Sequence, residues 1–265
     1  MRGPPAGSRR APVAEPALLA VAHGTRDPAG PAAVRALLAR VRAMRPGLRV
    51  AEAYGELAEP SLEDAAAALG GGPVVLVPLL LARGYHALAD FPGRAARLLP
   101  GAVASRPLGP DPLLAHALAD RLAGRLTGCL SGRSPIGIPP RPDAVVLGAA
   151  GSADPAGTAD AREAARLLAR RLGRPVRHGF VAAGGPVLDE VVADLRRGGA
   201  RRVAVASYLL APGRFHDRIA ACGADAAAPP IGAHPAAARL VLRRYDEARS
   251  GAAAPVRAQV SRPVS

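Results

Sequence analysis

The chain has 265 residues, enough for two compact domains of about 120 residues each. Its formal net charge is +14, all 35 basic residues are arginines, and only 3% of the residues are aromatic. Scattered arginines without interleaved aromatic residues are not typical of a nucleic-acid-binding surface, so no nucleic-acid partner is expected. A small anionic ligand fits the charge better, because Arg binds carboxylates through paired hydrogen bonds.

The cysteine content and the apolar segments indicate a cytoplasmic protein that does not enter a membrane. Cys129 and Cys222 belong to no CxxC pattern, which excludes a disulfide framework and a thiolate metal site. Residues 1–16 have no apolar core and are predicted to be a disordered N-terminus rather than a signal peptide. The longest apolar run, residues 74–82, is too short to span a bilayer.

Short Val/Leu/Ala runs alternate with stretches of helical period, which predicts an α/β fold with parallel sheets. In the first half, strands are predicted at 18–22, 49–54, 74–78 and near 103, and helices at 32–45, 61–69, 88–98 and 112–126. Residues 128–142, rich in Gly, Pro and Ser, are predicted to be a linker. In the second half, strands at 144–148, 176–181 and 202–208 alternate with helices at 159–172, 187–196 and 234–246. Residues 249–265 are predicted to be a disordered tail.

The second half repeats the pattern of the first. LLAVAHGTRDPAG (18–30) matches VVLGAAGSADPAG (145–157), and LLARGYH (80–86) matches LLAPGRFH (209–216) with one inserted residue. The repeat predicts two similar domains, 17–127 and 143–248, each a parallel sheet flanked by helices. The two domains are expected to face each other across a cleft between the C-terminal ends of the strands.

Three polar residues follow the first three predicted strands. His23 ends the first strand, Glu56 follows the second, and His86 follows the third. Because loops at the C-terminal ends of neighbouring parallel strands converge, these side chains are expected to meet. Two imidazoles and a carboxylate suit a first-row divalent ion with open coordination positions. Glu59 competes with Glu56 for this role, although beside Pro60 it also fits the start of the next helix.

Three consecutive segments, LLAVAHGTRDP, YGELAEPSLED and VVLVPLLLARGYHALAD, resemble the class II chelatases of the sirohydrochlorin cobalt- and ferrochelatase family. The similarity spans residues 17–125, and a weaker second copy continues to about residue 248. The resemblance implies a metal ion bound at the mouth of the cleft by His23, Glu56 and His86, and a planar macrocycle lying between the domains. It implies no organic cofactor.

The implied reaction is insertion of Fe²⁺ or Co²⁺, with Ni²⁺ as a further candidate, into sirohydrochlorin, in sirohaem or cobalamin biosynthesis. Glu56 would complete the metal site, accept a pyrrole proton, or do both in turn. Because the substrate is a polycarboxylate, Arg26, Arg83 and Arg214 are candidate anchors. Arg26 and Arg83 also fit solvated loop residues.

The second copy departs from this pattern. Ala150 stands in the place of His23 and Ala182 in the place of Glu56, and only His216 is retained. This half is therefore expected to form the opposite wall of the cleft, with one metal ion per chain at the first-half site. A monomer is expected, because both halves lie in one chain.

Two other functions are alternatives to the chelatase hypothesis. A non-catalytic carrier of metal or tetrapyrrole would use the same ligands but would need no proton acceptor. A hydrolase acting through His23 would need a nucleophile, and no G-x-S-x-G motif is present.

Overall fold

The computed structural model describes residues 15–84, 89–128 and 141–251. Within these ranges it contains two four-stranded parallel sheets with helices packed against them, which confirms the predicted α/β class and its two similar halves. His86 and most of the predicted N-terminal segment, linker and tail lie outside the described residues. None of the helices in the described part of the chain is long and apolar enough to cross a membrane.

The first half begins with a central strand that is buried along its whole length. In chain order its elements are β1 (Ala17–Ala22), α1 (Ala29–Met44), β2 (Val50–Tyr54), α2 (Leu62–Leu69), β3 (Val74–Pro78), α3 (Phe91–Leu98), β4 (Val103–Ala104) and α4 (Pro112–Gly128). The strands lie in the order β2-β1-β3-β4. A continuous Leu/Val/Ala run such as β1 is what a parallel strand covered on both faces requires.

The second half has the same strand order, β6-β5-β7-β8. Its elements are β5 (Ala144–Ala149), α5 (Pro155–Leu172), β6 (Val176–Phe180), α6 (Leu188–Arg197), β7 (Val203–Tyr208), α7 (Arg214–Ala220), β8 (Ala226–Ala227) and α8 (Pro235–Arg249). The internal repeat seen in the sequence therefore extends to the topology of both sheets.

Several elements differ from the sequence-based expectation. Helix α5 begins four residues earlier than predicted, because the Asp154 side chain accepts a hydrogen bond from the Ala156 N–H at 2.8 Å and Pro155 occupies the first turn. Helix α7 and strand β8 were not predicted. Both are too short to show a hydrophobic period, and β8 exists only through its pairing with β7.

The last helix of each half packs against the sheet of the other half. Helix α4 lies against α5 and the second sheet, whereas α8 lies against α1 and the first sheet. One hydrophobic cluster consequently contains side chains from all four of these helices, among them Leu37, Leu118, Leu168 and Leu240. The two halves thus exchange their last helices, α4 and α8. Periodicity shows that a helix has an apolar face but not which sheet that face meets, so this exchange was not expected.

Arg244 of α8 is fully buried where this helix meets the first half. Its Nε donates to the carbonyl of Pro107 at 2.9 Å, and its Nη2 donates to the carbonyl of Leu108 and to the carboxylate of Asp111, each at 2.9 Å. Burial lowers the pKa of Arg244, and the hydrogen bond that Arg244 donates to Asp111 opposes that effect. A buried cation is tolerated only with such partners, so this group fixes α8 in place.

We expect Asp111→Ala to lower the free energy of unfolding by about 3 kcal/mol, because it removes the shorter of the two carboxylate contacts of the buried Arg244 cation and leaves only Glu247 at 3.3 Å. Glu163→Ala is the matched control. It removes exposed ion pairs with Arg166 and Arg170 and should cost less than about 1 kcal/mol. Urea denaturation of both variants checks this, and equal losses would contradict a structural role for the buried pair.

Candidate functional site

His23 and Glu56 lie side by side at the C-terminal edge of the first sheet. The N–H of Gly55 donates to the carbonyl of Ala22 at 2.9 Å, and the N–H of Glu56 donates to the carbonyl of His23 at 3.0 Å. These bonds continue the pairing of β1 with β2 beyond the end of the strands. Both side chains are exposed at this edge. The structure therefore brings together two of the three expected ligands.

Gly24 makes this approach possible. It has a φ of +98°, and a Cβ built at this position would lie 1.7 Å from the carbonyl oxygen of Glu56. No side chain can be accommodated at that distance, and a positive φ of this size favours glycine. The His-Gly sequence after β1 is thus a requirement for close contact between the two loops that carry His23 and Glu56.

The loop of Glu56 is also held from α3. Arg94 donates from Nη1 to the carbonyl of Gly55 at 3.1 Å and pairs with Glu63 at 2.7 Å. The hydrogen bond to Glu63, together with the charges of Asp90 and Glu56, raises the pKa of Arg94. The Glu56 carboxylate therefore interacts electrostatically with the permanent positive charge of Arg94.

Glu59, the alternative to Glu56, serves the following helix. Its Oε2 accepts a hydrogen bond from the N–H of Ser61 at 2.9 Å, and the Ser61 hydroxyl in turn accepts from the N–H of Asp64. This carboxylate is engaged at the start of α2, as its position beside Pro60 suggested.

The loop after β3 approaches the same edge from the other side of β1. The N–H of Leu79 donates to the carbonyl of Val21 at 2.7 Å, and the described chain continues to Gly84. Since β1 lies between β2 and β3, the chain that leaves β1 runs to β2 on one side, whereas the chain that leaves β3 runs to β4 on the other side. Such a switch point is where open α/β sheets form binding crevices. His86 follows two residues later, outside the described residues.

A cavity of about 640 Å³ opens between the two halves at this edge. His23 lines it, as do Leu57 and Phe215, whose side chains are largely exposed, whereas Glu56 is not among its lining residues. Most of the lining is apolar, and the remaining polar side chains include Thr25, Arg83, Ser152, Arg214 and His216. Its size and composition suit an organic ligand with a few charged substituents.

The second half repeats the backbone geometry of the loops without the ligands. The N–H of Ala182 donates to the carbonyl of Ala150 at 2.9 Å, which is the counterpart of the Glu56–His23 bond. Gly151 has a φ of +105°, and a Cβ there would lie 2.0 Å from the carbonyl of Ala183. The hydrogen bond supports the alignment of Ala150 with His23 and of Ala182 with Glu56, whereas the close contact of the glycine falls one residue later in the second half, on Ala183.

His216 lies on α7, not in an extended loop. It is half-buried, and its Nε2 lies 3.3 Å from the carbonyl of Ala228. In this geometry Nε2 carries the proton and donates to the carbonyl, so the ring is oriented by β8 and the segment after it.

The three candidate anchor arginines differ in position. Arg214 is exposed and lines the cavity at the start of α7, whereas Arg26 is exposed but is not among the lining residues. Arg83 lines the cavity, and its guanidinium pairs with Asp160 of α5 at 2.7 Å while 49% of its side chain is exposed. This ion pair was not expected from the sequence.

Asp160 is thus a polar residue that sequence reasoning missed. It lies on the buried face of α5, where the first copy has Ala33. An acidic residue among the inward positions of an amphipathic helix was the available signal. Among the described residues, no group of three His, Cys, Asp or Glu side chains is arranged to hold a metal ion, and the third expected ligand lies outside them.

The sequence profile of the CbiX family matches residues 17–124 and 144–248 of this chain. The chain belongs to the CbiX family. The two matched segments coincide with the two halves of the structure, so each half matches the family profile by itself. No curated protein is similar to the chain at a significant level.

Solved structures of similar architecture include two named SirB. SirB from Bacillus subtilis with Fe³⁺ has a TM-score of 0.72 and 27% identity, over 90% of this chain and 97% of that chain. The sirohydrochlorin chelatase SirB from Bacillus subtilis subspecies spizizenii, in complex with cobalt, has a TM-score of 0.69 and 24% identity, over 89% and 96%. CbiX of denitrifying bacteria, described as the terminal enzyme of sirohaem biosynthesis, has a TM-score of 0.65 and 22% identity, over 88% and 99%.

We expect Gly24→Ala to lower the free energy of unfolding by more than the cost of placing alanine at a positive φ. The additional cost arises because the new methyl group must displace the Glu56 carbonyl. Gly47→Ala is the control: Gly47 has a φ of +91°, and nothing lies within 4 Å of a Cβ there. Gly47→Ala should cost about 1 kcal/mol, and Gly24→Ala about 2 kcal/mol or more. Thermal denaturation, with Co²⁺ titration of each variant, measures the difference. Similar results for both would show that the contact is unimportant.

Proposed function

We propose that this CbiX-family chain is a sirohydrochlorin chelatase that inserts Fe²⁺ or Co²⁺, with Ni²⁺ as a further candidate metal, into the macrocycle. The observation that carries the proposal is the position of His23 and Glu56. They lie on two loops joined by backbone hydrogen bonds, at the switch point of the first sheet. This point is at the edge of an apolar cavity between two similar halves. The bound Fe³⁺ and cobalt in the SirB structures support a metal ion as one substrate.

In this proposal His23, Glu56 and His86 hold the ion as it enters. Neutral imidazoles and a carboxylate bind first-row divalent ions without the affinity of thiolates, so the ion can be transferred. The metal is consumed as a substrate and is not a resident cofactor. No organic cofactor takes part, because insertion changes no oxidation state and transfers no group.

The macrocycle occupies the cavity between the halves. Its flat ring suits the mainly apolar walls, and its carboxylates suit Arg83 and Arg214, which line the cavity, with the exposed Arg26 of the loop after β1 as a third proposed anchor. When the ion enters, two metal–nitrogen bonds replace two pyrrole N–H bonds, and two protons must leave. The Glu56 carboxylate is exposed beside His23 and is the proposed acceptor for one of them, and the other passes to solvent water. The same proposal places the enzyme in the cytoplasm.

Turnover distinguishes this enzyme from a carrier with the same ligands. We expect purified protein, mixed anaerobically with sirohydrochlorin and Co²⁺ or Fe²⁺, to accelerate the absorption shift of the macrocycle over a protein-free control. Conversion should exceed one equivalent per chain, because the product is released. A shift that stops at one equivalent would support a carrier and contradict the proposal.

His23 of the first half and His216 of the second half should differ in importance. His23→Ala removes a proposed ligand and should lower insertion more than about 100-fold, since even the partners of metal ligands cost 10- to 100-fold when lost. His216→Ala should weaken substrate handling at most, because Ala150 and Ala182 leave no other ligand in that half. Equal losses in both variants, or two ions of similar affinity per chain, would contradict a single first-half site.

A further inference from the structure

The loop that leads from β3 towards His86 is anchored by two polar side chains of the second half. Asp160 of α5 has only 4% of its side chain exposed. Its Oδ2 accepts from the backbone N–H of Arg83 at 2.7 Å, and its Oδ1 accepts from Nη2 of Arg83 at 2.7 Å. Nε of Arg83 contacts both oxygens, at 3.0 and 3.1 Å. The carboxylate therefore fixes the main chain of the loop as well as the side chain.

The second anchor is Tyr208 at the end of β7. Its hydroxyl donates to the carbonyl of Leu81 at 2.7 Å. Burial raises the pKa of Tyr208, so the phenol remains a donor. Gly109 leaves room for this bond, because a Cβ there would lie 2.1 Å from the Leu81 carbonyl and 2.2 Å from the Tyr208 hydroxyl. Leu81 and Arg83 are thus held from one side by two different elements.

Among the described residues, the first half has no counterpart of Asp160 or Tyr208 that would hold the corresponding loop of the second half. The repeat places Ala33 at the position of Asp160 and Pro212 at the position of Arg83, and the strand register places Leu79 at the position of Tyr208. None of these three residues can form the corresponding bonds. A Cβ at Gly157 would lie 2.9 Å from the Arg83 carbonyl, but one at the equivalent Gly30 would lie 3.9 Å from the Pro212 carbonyl.

This asymmetry is not explained by the need to join the halves. The exchange of α4 and α8 and the buried Arg244–Asp111 group already do that. Both anchors act on the half that retains the expected ligands, and within the described residues the half that lost them has no such support. A buried carboxylate is costly unless it is fully partnered, which makes its presence here informative.

We propose that the second half takes part in metal binding by holding this loop, with Asp160 and Tyr208 as positioning residues for the metal site of the first half. The inference rests on the proposed function. Arg83 precedes His86 by three residues, and three residues of chain span at most about 11 Å. A fixed Arg83 therefore restricts where His86 can lie relative to His23 and Glu56, and it also sets the direction of the guanidinium on the cavity wall.

Asp160→Asn and Tyr208→Phe test this, with Asp246→Asn and Tyr245→Phe as matched controls. Asp246 forms the same kind of bidentate pair, with Arg45 at 2.7 Å, and the Tyr245 hydroxyl donates to the carbonyl of Pro16 at 2.6 Å. Neither control residue lines the cavity. Each test variant and its control lose the same chemical group from a contact between the halves, one beside the cavity and one away from it.

We expect each test variant to bind Co²⁺ about tenfold more weakly than its control, with a changed visible spectrum of the bound ion and a lower kcat. Asp160→Asn should lower Tm more than Asp246→Asn, because 4% of the Asp160 side chain is exposed against 37% of that of Asp246, whereas the two tyrosine variants should show similar shifts in Tm. If Asp160→Asn does not fold, Tyr208→Phe still decides, since it removes one oxygen atom only. Co²⁺ affinity and spectrum equal to those of the controls would overturn the inference.

Failure of the proposed function would be seen separately. If the unmodified chain binds Co²⁺ but does not insert it into sirohydrochlorin, the chelatase proposal is wrong. The comparison of Co²⁺ affinity between variants and controls then still decides whether Asp160 and Tyr208 position the metal site, because it requires no macrocycle.

Discussion

The arrangement of this protein depends on the exchange of its terminal helices. Helix α4 completes the packing of the second sheet and α8 that of the first, so one hydrophobic cluster runs through both halves. Burial of this apolar surface fixes the two sheets relative to each other, and the buried Arg244 specifies the position of α8 by its directional hydrogen bonds. The cavity between the strand ends is therefore placed by the core, and hydrogen bonds among its own lining residues, such as Tyr208 to Leu81, add to this support.

The repeat separates what the fold requires from what the chemistry requires. Both halves keep the glycine after the first strand and the backbone hydrogen bond across the neighbouring loop, because close approach of the chains depends on them. The side chains at the ends of those loops have diverged to His23 and Glu56 in one half and to Ala150 and Ala182 in the other. In the proposed function, a shared scaffold thus provides metal ligands on one side of the cavity and a wall for the macrocycle on the other.

Membership of the CbiX family and the polar edge of an apolar cavity point to the same chemistry. An ion that must be transferred is better held by imidazole and carboxylate than by thiolate, and a planar polycarboxylate is better held by apolar walls with arginines at the edge. Asp160 and Tyr208 contact the first-half loop. Under the proposed role of these contacts, the half without ligands controls the geometry of the half that has them.

The sequence by itself determined the order of the strands and helices apart from α7 and β8, the repeat, and the placing of His23 and Glu56 at neighbouring strand ends, because periodicity and strand-end position are local properties of the chain. Tertiary structure alone decided the exchange of α4 and α8, the Arg83–Asp160 pair, and the place of His216 on a short helix facing the Ala228 carbonyl. These contacts join residues far apart in the chain. They depend on which apolar faces meet, and an amphipathic pattern is the same whichever partner the helix finds.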